Sequence, residues 1–181
     1  DRILENPVVD HLVNRAGTAY ENPEGDVHPQ QLDRRFASRD VLCPRSADSP
    51  QLAAVMAAAD GHSFVLEGPP GTGKSQTITN VIAHCLGHGK RVLFVAEKRA
   101  ALDVVHRRLR EVGLEPFCLE LHSNKAGKAD VLAQFDRALG YGRGGSTEDW
   151  ERRAAELDAV RHALNQYVDV LHRRRACGLS A

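Results

Sequence analysis

The chain has 181 residues, 42% of them apolar and 27% charged, with 24 Lys/Arg balancing 24 Asp/Glu. That is enough chain for one well-buried domain with peripheral structure, and its composition is that of a globular protein. The zero net charge removes the simplest argument for nucleic-acid binding, the longest apolar runs stop far short of a membrane span, and no basic-then-apolar leader opens the chain. A cytoplasmic protein is therefore expected. Cys43, Cys85, Cys118 and Cys177 are scattered without a C-x-x-C pair, and the nine histidines show no zinc-ligand spacing. The charge is nonetheless uneven: residues 61–128 hold 10 Lys/Arg against 6 Asp/Glu, while residues 1–60 hold 6 against 10. The middle of the chain suits a phosphate-rich ligand.

Residues 1–48 read as a loosely structured approach, with a short helix around Val8 to Val13 and turn signals at Asn22-Pro23-Glu24-Gly25 and His28-Pro29. Ser49 then suits an N-cap and Pro50 the first helical position, so a short Ala-rich helix is expected from Gln51 to Asp60, closed by Gly61. The apolar run Phe64-Val65-Leu66-Glu67 leads into a glycine-rich stretch. Beyond it, Ile78, Val81, Ile82 and Cys85 keep helical spacing up to Leu86, with Gly87 or Gly89 as cap. Val92 to Ala96 reads as a second buried strand, Arg99 to Val112 as a helix closed by Gly113, and Phe117 to Leu121 as a third strand. A further helix carries Leu132, Phe135 and Leu139 and stops at the Gly140–Gly145 cluster. Alternating strands and helices predict an α/β fold with a parallel sheet. Last, Trp150, Leu157, Leu164 and Leu171 recur every seven residues, with Val160 and Tyr167 between them, predicting an amphipathic helix of about 25 residues. Such a helix reads as one arm of a helical hairpin or insertion over residues 146–177.

The glycine stretch is Gly68-Pro69-Pro70-Gly71-Thr72-Gly73-Lys74-Ser75, a complete G-x-x-x-x-G-K-[ST] with an apolar run before it and a helix after it. Glycines let the backbone wrap a polyphosphate with its N–H groups turned inward, and the next helix adds its N-terminal amides and dipole. Lys74 is placed to reach the β- and γ-phosphates and acts as the catalytic cation. The Ser75 hydroxyl is placed to ligate Mg2+. Hydrolysis also needs carboxylates for the metal's water shell and the attacking water. Glu97 and Glu120 are the candidates, but neither apolar run ends in Asp-Glu. Binding is thus better supported than turnover.

These residues, with a Gln-containing helix upstream and Val-Leu-Phe-Val-Ala-Glu-Lys downstream, resemble the first RecA-like motor domain of superfamily 1 helicases. The Upf-like branch, and large bacterial helicase-related proteins with AAA domains, look most similar. The likeness covers most of residues 41–139. It implies a partial RecA-like P-loop NTPase sheet over residues 49–139 with an appended long helical segment, and ATP with Mg2+ as ligands. It makes Gln51 the adenine-reading glutamine and extends the nucleotide set from Gly68 through Ser75 to Gln76. It also places Glu97, Lys98 and Arg99 where the family contacts single-stranded nucleic acid, joined by Ser123, Asn124 and Lys125 after the third strand. The acidic pair and the second motor domain of the family have no counterpart here, so the chain reads as part of a longer helicase, with single-stranded DNA or RNA and that second domain as partners. A small nucleotide or metabolite kinase and a nucleotide-dependent interaction module are the alternative readings.

Overall fold

The computed structural model describes residues 5–18, 20, 27–69, 71–121, 128–142 and 146–173. They carry seven α-helices: α1 (Pro7–Asn14), α2 (Leu32–Arg35), α3 (Ser49–Asp60), α4 (Lys74–Gly87), α5 (Arg99–Glu111), α6 (Lys128–Leu139) and α7 (Thr147–His172). None of them is long and apolar enough to cross a membrane. Two compact units divide the chain, one drawn from Asp1–Gln30 with Cys43–Val105, the other from Gln31–Leu42 with His106–Ala181.

The helices begin and end where local chemistry dictates. Asn6 caps α1 by accepting from Val8 N–H at 2.9 Å, and Pro7 occupies a position where no amide donor is missed. The cap of α3 is Asp48 rather than Ser49, one residue earlier than expected. Its carboxylate accepts from Gln51 N–H at 2.8 Å while Gln51 Oε1 accepts from Asp48 N–H at 3.2 Å, a reciprocal capping box. Gly61, with φ of 89°, ends α3 in the left-handed region.

The first unit is built on α3 packed against α4. Ala53, Val55, Met56 and Ala57 from α3, and Ile82, Ala83 and Cys85 from α4, are among its buried apolar side chains. The α4 face also buries Thr77, Thr79, Asn80 and His84. The two threonines satisfy their hydroxyls within the helix, on Gly73 O at 3.3 Å and Ser75 O at 2.7 Å. His84, 1% exposed, meets His88 edge-on at 4.5 Å. Burial first, and then repulsion from a charged His88, hold the His84 pKa below the ordinary 6.5. The folded unit therefore favours the neutral ring. Stability from this site is fully present above pH 6.5 and is lost as pH falls toward the depressed folded value. Melting temperatures taken between pH 8 and pH 5 are expected to decline, with a shallower decline in His84→Gln; equal slopes would remove His84 from the account.

In the second unit, α7 docks on the turn at Ser38–Asp40, and α6 on the turn at Glu115–Phe117. Asp158 accepts from Ser38 N–H at 3.1 Å and from Ser38 Oγ at 2.7 Å, and these bonds hold its pKa below the ordinary carboxylate value. Arg161 donates to Phe36 O at 2.9 Å and to Asp158 at 2.8 Å, Asn165 to Asp33 at 3.1 Å, and Trp150 Nε1 to Arg39 O at 3.1 Å. Exposed pairs such as Arg152–Glu156 and Arg153–Asp149 also line α7. At about 0.2–0.5 kcal/mol each, they matter less than the docked face. That face runs along Trp150, Ala154, Asp158, Arg161 and Asn165, whereas Leu157, Val160, Leu164 and Tyr167 of the heptad seam are exposed.

The parallel RecA-like sheet expected of an α/β P-loop NTPase is not there: no β-strand occurs among the described residues. The segments 64–67 and 92–96 have the apolar content of buried strands but no neighbouring strand to bond. Val65 is 84% exposed and Leu93 86%. Apolarity registers a tendency to be buried, while a strand exists only through ladder bonds to a chain about 4.8 Å away. Over 117–121 the start is also diverted, because Pro116 sits in a 3-10 turn in which Phe117 N–H bonds Leu114 O and Cys118 N–H bonds Glu115 O.

Candidate functional site

The glycine loop joins the extended segment before it to the N-terminus of α4. Gly73, at φ of 81°, is the N-cap, and Gly71 has φ of 89°. Both lie in the left-handed region that side chains resist, so the turn into the helix depends on glycine there. Gln76 and Thr77 N–H bond to Gly73 O at 2.8 and 2.9 Å. The N–H groups of Lys74 and Ser75 precede the intrahelical ladder and belong to the electropositive end of a 14-residue helix.

Inside the loop, the carbonyls of Gly68 and Pro69 gather the donors. Lys74 Nζ bonds Gly68 O and reaches Pro69 O at 3.0 Å. Thr72 Oγ1 donates to Pro69 O at 2.8 Å. The loop is tight at its first glycine, where a Cβ would stand 2.6 Å from Thr72 Oγ1 and 3.3 Å from Lys74 Cγ. The ammonium thus already sits at the loop on its own residues' carbonyls.

Gln51 belongs to the same assembly. Its Oε1 accepts from Asp48 N–H, and its Nε2 donates to Thr72 O at 2.9 Å. The α3 N-terminus is in this way bonded to the glycine loop. Gln76 turns its amide to the carbonyl of Ser46 and, at 3.1 Å, to the Ser46 hydroxyl. Of the expected nucleotide residues, Gln51, Gly68, Pro69, Gly71, Thr72, Gly73, Lys74, Ser75 and Gln76 lie together in the first unit, while Pro70 is outside the described residues.

The expected nucleic-acid residues divide. Glu97 and Lys98 form a bend directly before α5 and Arg99 is its first residue, all three exposed, with Arg99 Nε 3.7 Å from Asp103. Ser123, Asn124 and Lys125 lie outside the described residues. Glu120 pairs with His106 Nδ1 at 3.0 Å in the second unit, where its N–H also donates to Gln134. Among the described residues, no group of three or more His, Cys, Asp or Glu is arranged to hold a metal. Burial pushes the Cys43 thiol up to about 11, so at neutral pH it stays protonated.

Sequence reasoning missed Asn80. Its fully buried amide accepts from Arg45 N–H at 3.0 Å and donates to Arg45 O at 3.0 Å. The polar residue one turn beyond Gln76, on the face that carries Thr77 and His84, was the available signal.

This loop, lysine and helix fall within residues 46–132, which match the family model of the AAA domain. The chain is 42% identical to the uncharacterized ATP-dependent helicase MG140 of Mycoplasma genitalium, across 80 residues that make 44% of this chain and 7% of that protein. The homolog of MG140 in Mycoplasma pneumoniae, also described as an uncharacterized ATP-dependent helicase, is 54% identical across 103 residues, 56% of this chain and 8% of its own. Residues 46–132 are a helicase-related AAA domain. The match begins at Ser46, where Gln76 bonds the backbone, so this AAA domain takes in α3 with its capping box, the loop, α4 and α5. The chain spans less than a tenth of the length of these curated relatives. No solved structure matches it.

Proposed function

We propose that this chain is the ATP- and magnesium-binding part of a superfamily 1 helicase motor that acts on single-stranded DNA or RNA within a longer protein. The observation that carries the reading is the Lys74 ammonium held at a glycine loop on the N-terminus of α4, inside a helicase-related AAA domain. The site fits a nucleoside triphosphate. Positive φ at Gly71 and Gly73, the crowded Gly68 and the first-turn amides of α4 make a cradle for anionic oxygens.

In this reading the backbone from Gly68 through Pro69, Pro70, Gly71, Thr72 and Gly73 surrounds the phosphates. Lys74 exchanges its bonds to the Gly68 and Pro69 carbonyls for phosphate oxygens. Ser75 supplies a hydroxyl to Mg2+, and Gln51 reads adenine with the donor and acceptor positions that its present bonds leave over. Bound Mg2+ supplies charge neutralisation across the β- and γ-phosphates. Glu97, Lys98 and Arg99, with Ser123, Asn124 and Lys125, are the proposed nucleic-acid contacts. The exposure of Lys98 and Arg99 at the entry to α5 supports their part in it. The cytoplasm is the proposed compartment.

ATP turnover, measured with and without single-stranded DNA or RNA, tests the reading. This chain alone is expected to bind ATP and hydrolyse it poorly. A longer protein carrying a second motor lobe is expected to hydrolyse faster when nucleic acid is added. Hydrolysis by the longer protein that ignores both nucleic acids would falsify the helicase reading.

A further inference from the structure

Asn80 is 0% exposed, so its side chain is out of reach of any ligand in the loop. A buried amide is costly unless its groups are paired. Here both ends pair with one backbone residue: Oδ1 with Arg45 N–H and Nδ2 with Arg45 O, each at 3.0 Å. One turn earlier on α4, Gln76 Nε2 bonds Ser46 O and Oγ. Two successive backbone units are thus held by two side chains four residues apart on one helix face.

The consequences run forward along the chain. Asp48, two residues beyond Ser46, is the N-cap of α3 and exchanges bonds with Gln51. Gln51 then donates to Thr72 O, which is two residues before α4 begins. The ties form a closed circuit from α4 to Arg45–Ser46, to Asp48, to Gln51, to the phosphate loop and back to α4. Within it the Gln51 amide cannot turn over, because Asp48 N–H holds its oxygen and Thr72 O holds its nitrogen. One acceptor site and one donor hydrogen remain for a base. Adenine offers the matching pattern, an amino donor beside the N7 acceptor. Guanine offers two acceptors, O6 and N7, which sets O6 against an amide oxygen that is not free to move away.

We propose that Asn80 and Gln76 are positioning residues for base selection, fixing the Arg45–Ser46 backbone so that the Gln51 amide is presented in one orientation and the site prefers ATP to GTP. The inference rests on the reading of Gln51 as the adenine-contacting residue.

The test measures dissociation constants for magnesium–ATP and magnesium–GTP on the 181-residue chain by calorimetry, with circular dichroism as a check on folding. Asn80→Leu removes both bonds at similar volume. Gln76→Ala loosens the same backbone from a half-buried position, and so keeps the test open if Asn80→Leu fails to fold. Each is expected to narrow the ratio of ATP to GTP affinity by roughly ten-fold. In a Gln51→Ala background neither substitution should lower the preference further, since all three act through one amide. If folded Gln76→Ala and Asn80→Leu keep the ATP preference while Gln51→Ala loses it, the positioning role is wrong and the adenine reading stands. If Gln51→Ala also keeps the wild-type preference, or the wild type has none, both fall together.

Discussion

Lys74→Ala is expected to abolish magnesium–ATP binding, lowering affinity by more than about a hundred-fold. The estimate follows from removing at least two charge-assisted hydrogen bonds, each worth about 1.5–3 kcal/mol. The structure also says what the substitution leaves intact. Lys74 is exposed, and its bonds go to Gly68 and Pro69 within its own loop rather than into the α3–α4 core. The melting temperature should therefore move little while binding disappears. Calorimetric titration of ATP against both proteins reads the effect, and an affinity unchanged by the substitution would sink the phosphate assignment.

The second large effect separates backbone strain from contact. Gly71→Ala and Gly73→Ala both force a side chain into the left-handed region, at about 1–2 kcal/mol each. They differ in what the new Cβ meets. At Gly71 nothing stands within 4 Å, whereas at Gly73 it would lie 3.0 Å from Gln51 Nε2. Gly71→Ala should cost the strain alone. Gly73→Ala should cost more, because Gln51 must give way and its bond to Thr72 O is put at risk. It should also narrow the gap between ATP and GTP affinities, which Gly71→Ala should leave alone. Thermal melts with paired nucleotide titrations measure both parts, and identical behaviour of the two variants would mean that the contact at Gly73 is inconsequential.

The sequence carries some of this arrangement openly and conceals the rest. Gly71, Gly73 and Lys74 are legible because one short motif encodes both the positive φ values and the charge. The cap of α3 was legible in principle: Asp48 followed by Gln51 three residues later spells a capping box, but Ser49-Pro50 offers a competing start one residue on. The apolar runs at 64–67 and 92–96 announce a wish for burial and say nothing of a ladder partner, so the expected sheet did not follow from them. Asn80 is hidden because its partner, Arg45, lies 35 residues away with no pattern linking the two. The helix at 147–172 is clear from its periodicity. Its docked face is not, since Asp158, Arg161 and Asn165 choose partners in residues 33–38 that no heptad announces.

That last set of bonds bears on the order in which the chain acquires structure. The ties that gather the glycine loop close over 21 to 35 residues. Those that fasten residues 33–39 to α7 close over 111 to 132. Loop closure costs more entropy as the intervening chain lengthens, and non-local contacts form late. On a ribosome, the first unit can assemble around α3 and α4 while the peptide at Asp33–Arg39 still waits for Asp158, Arg161 and Asn165 to be made. The short segment that interrupts the first unit is thus the last to find its place, although it is synthesised before the α7 residues that hold it.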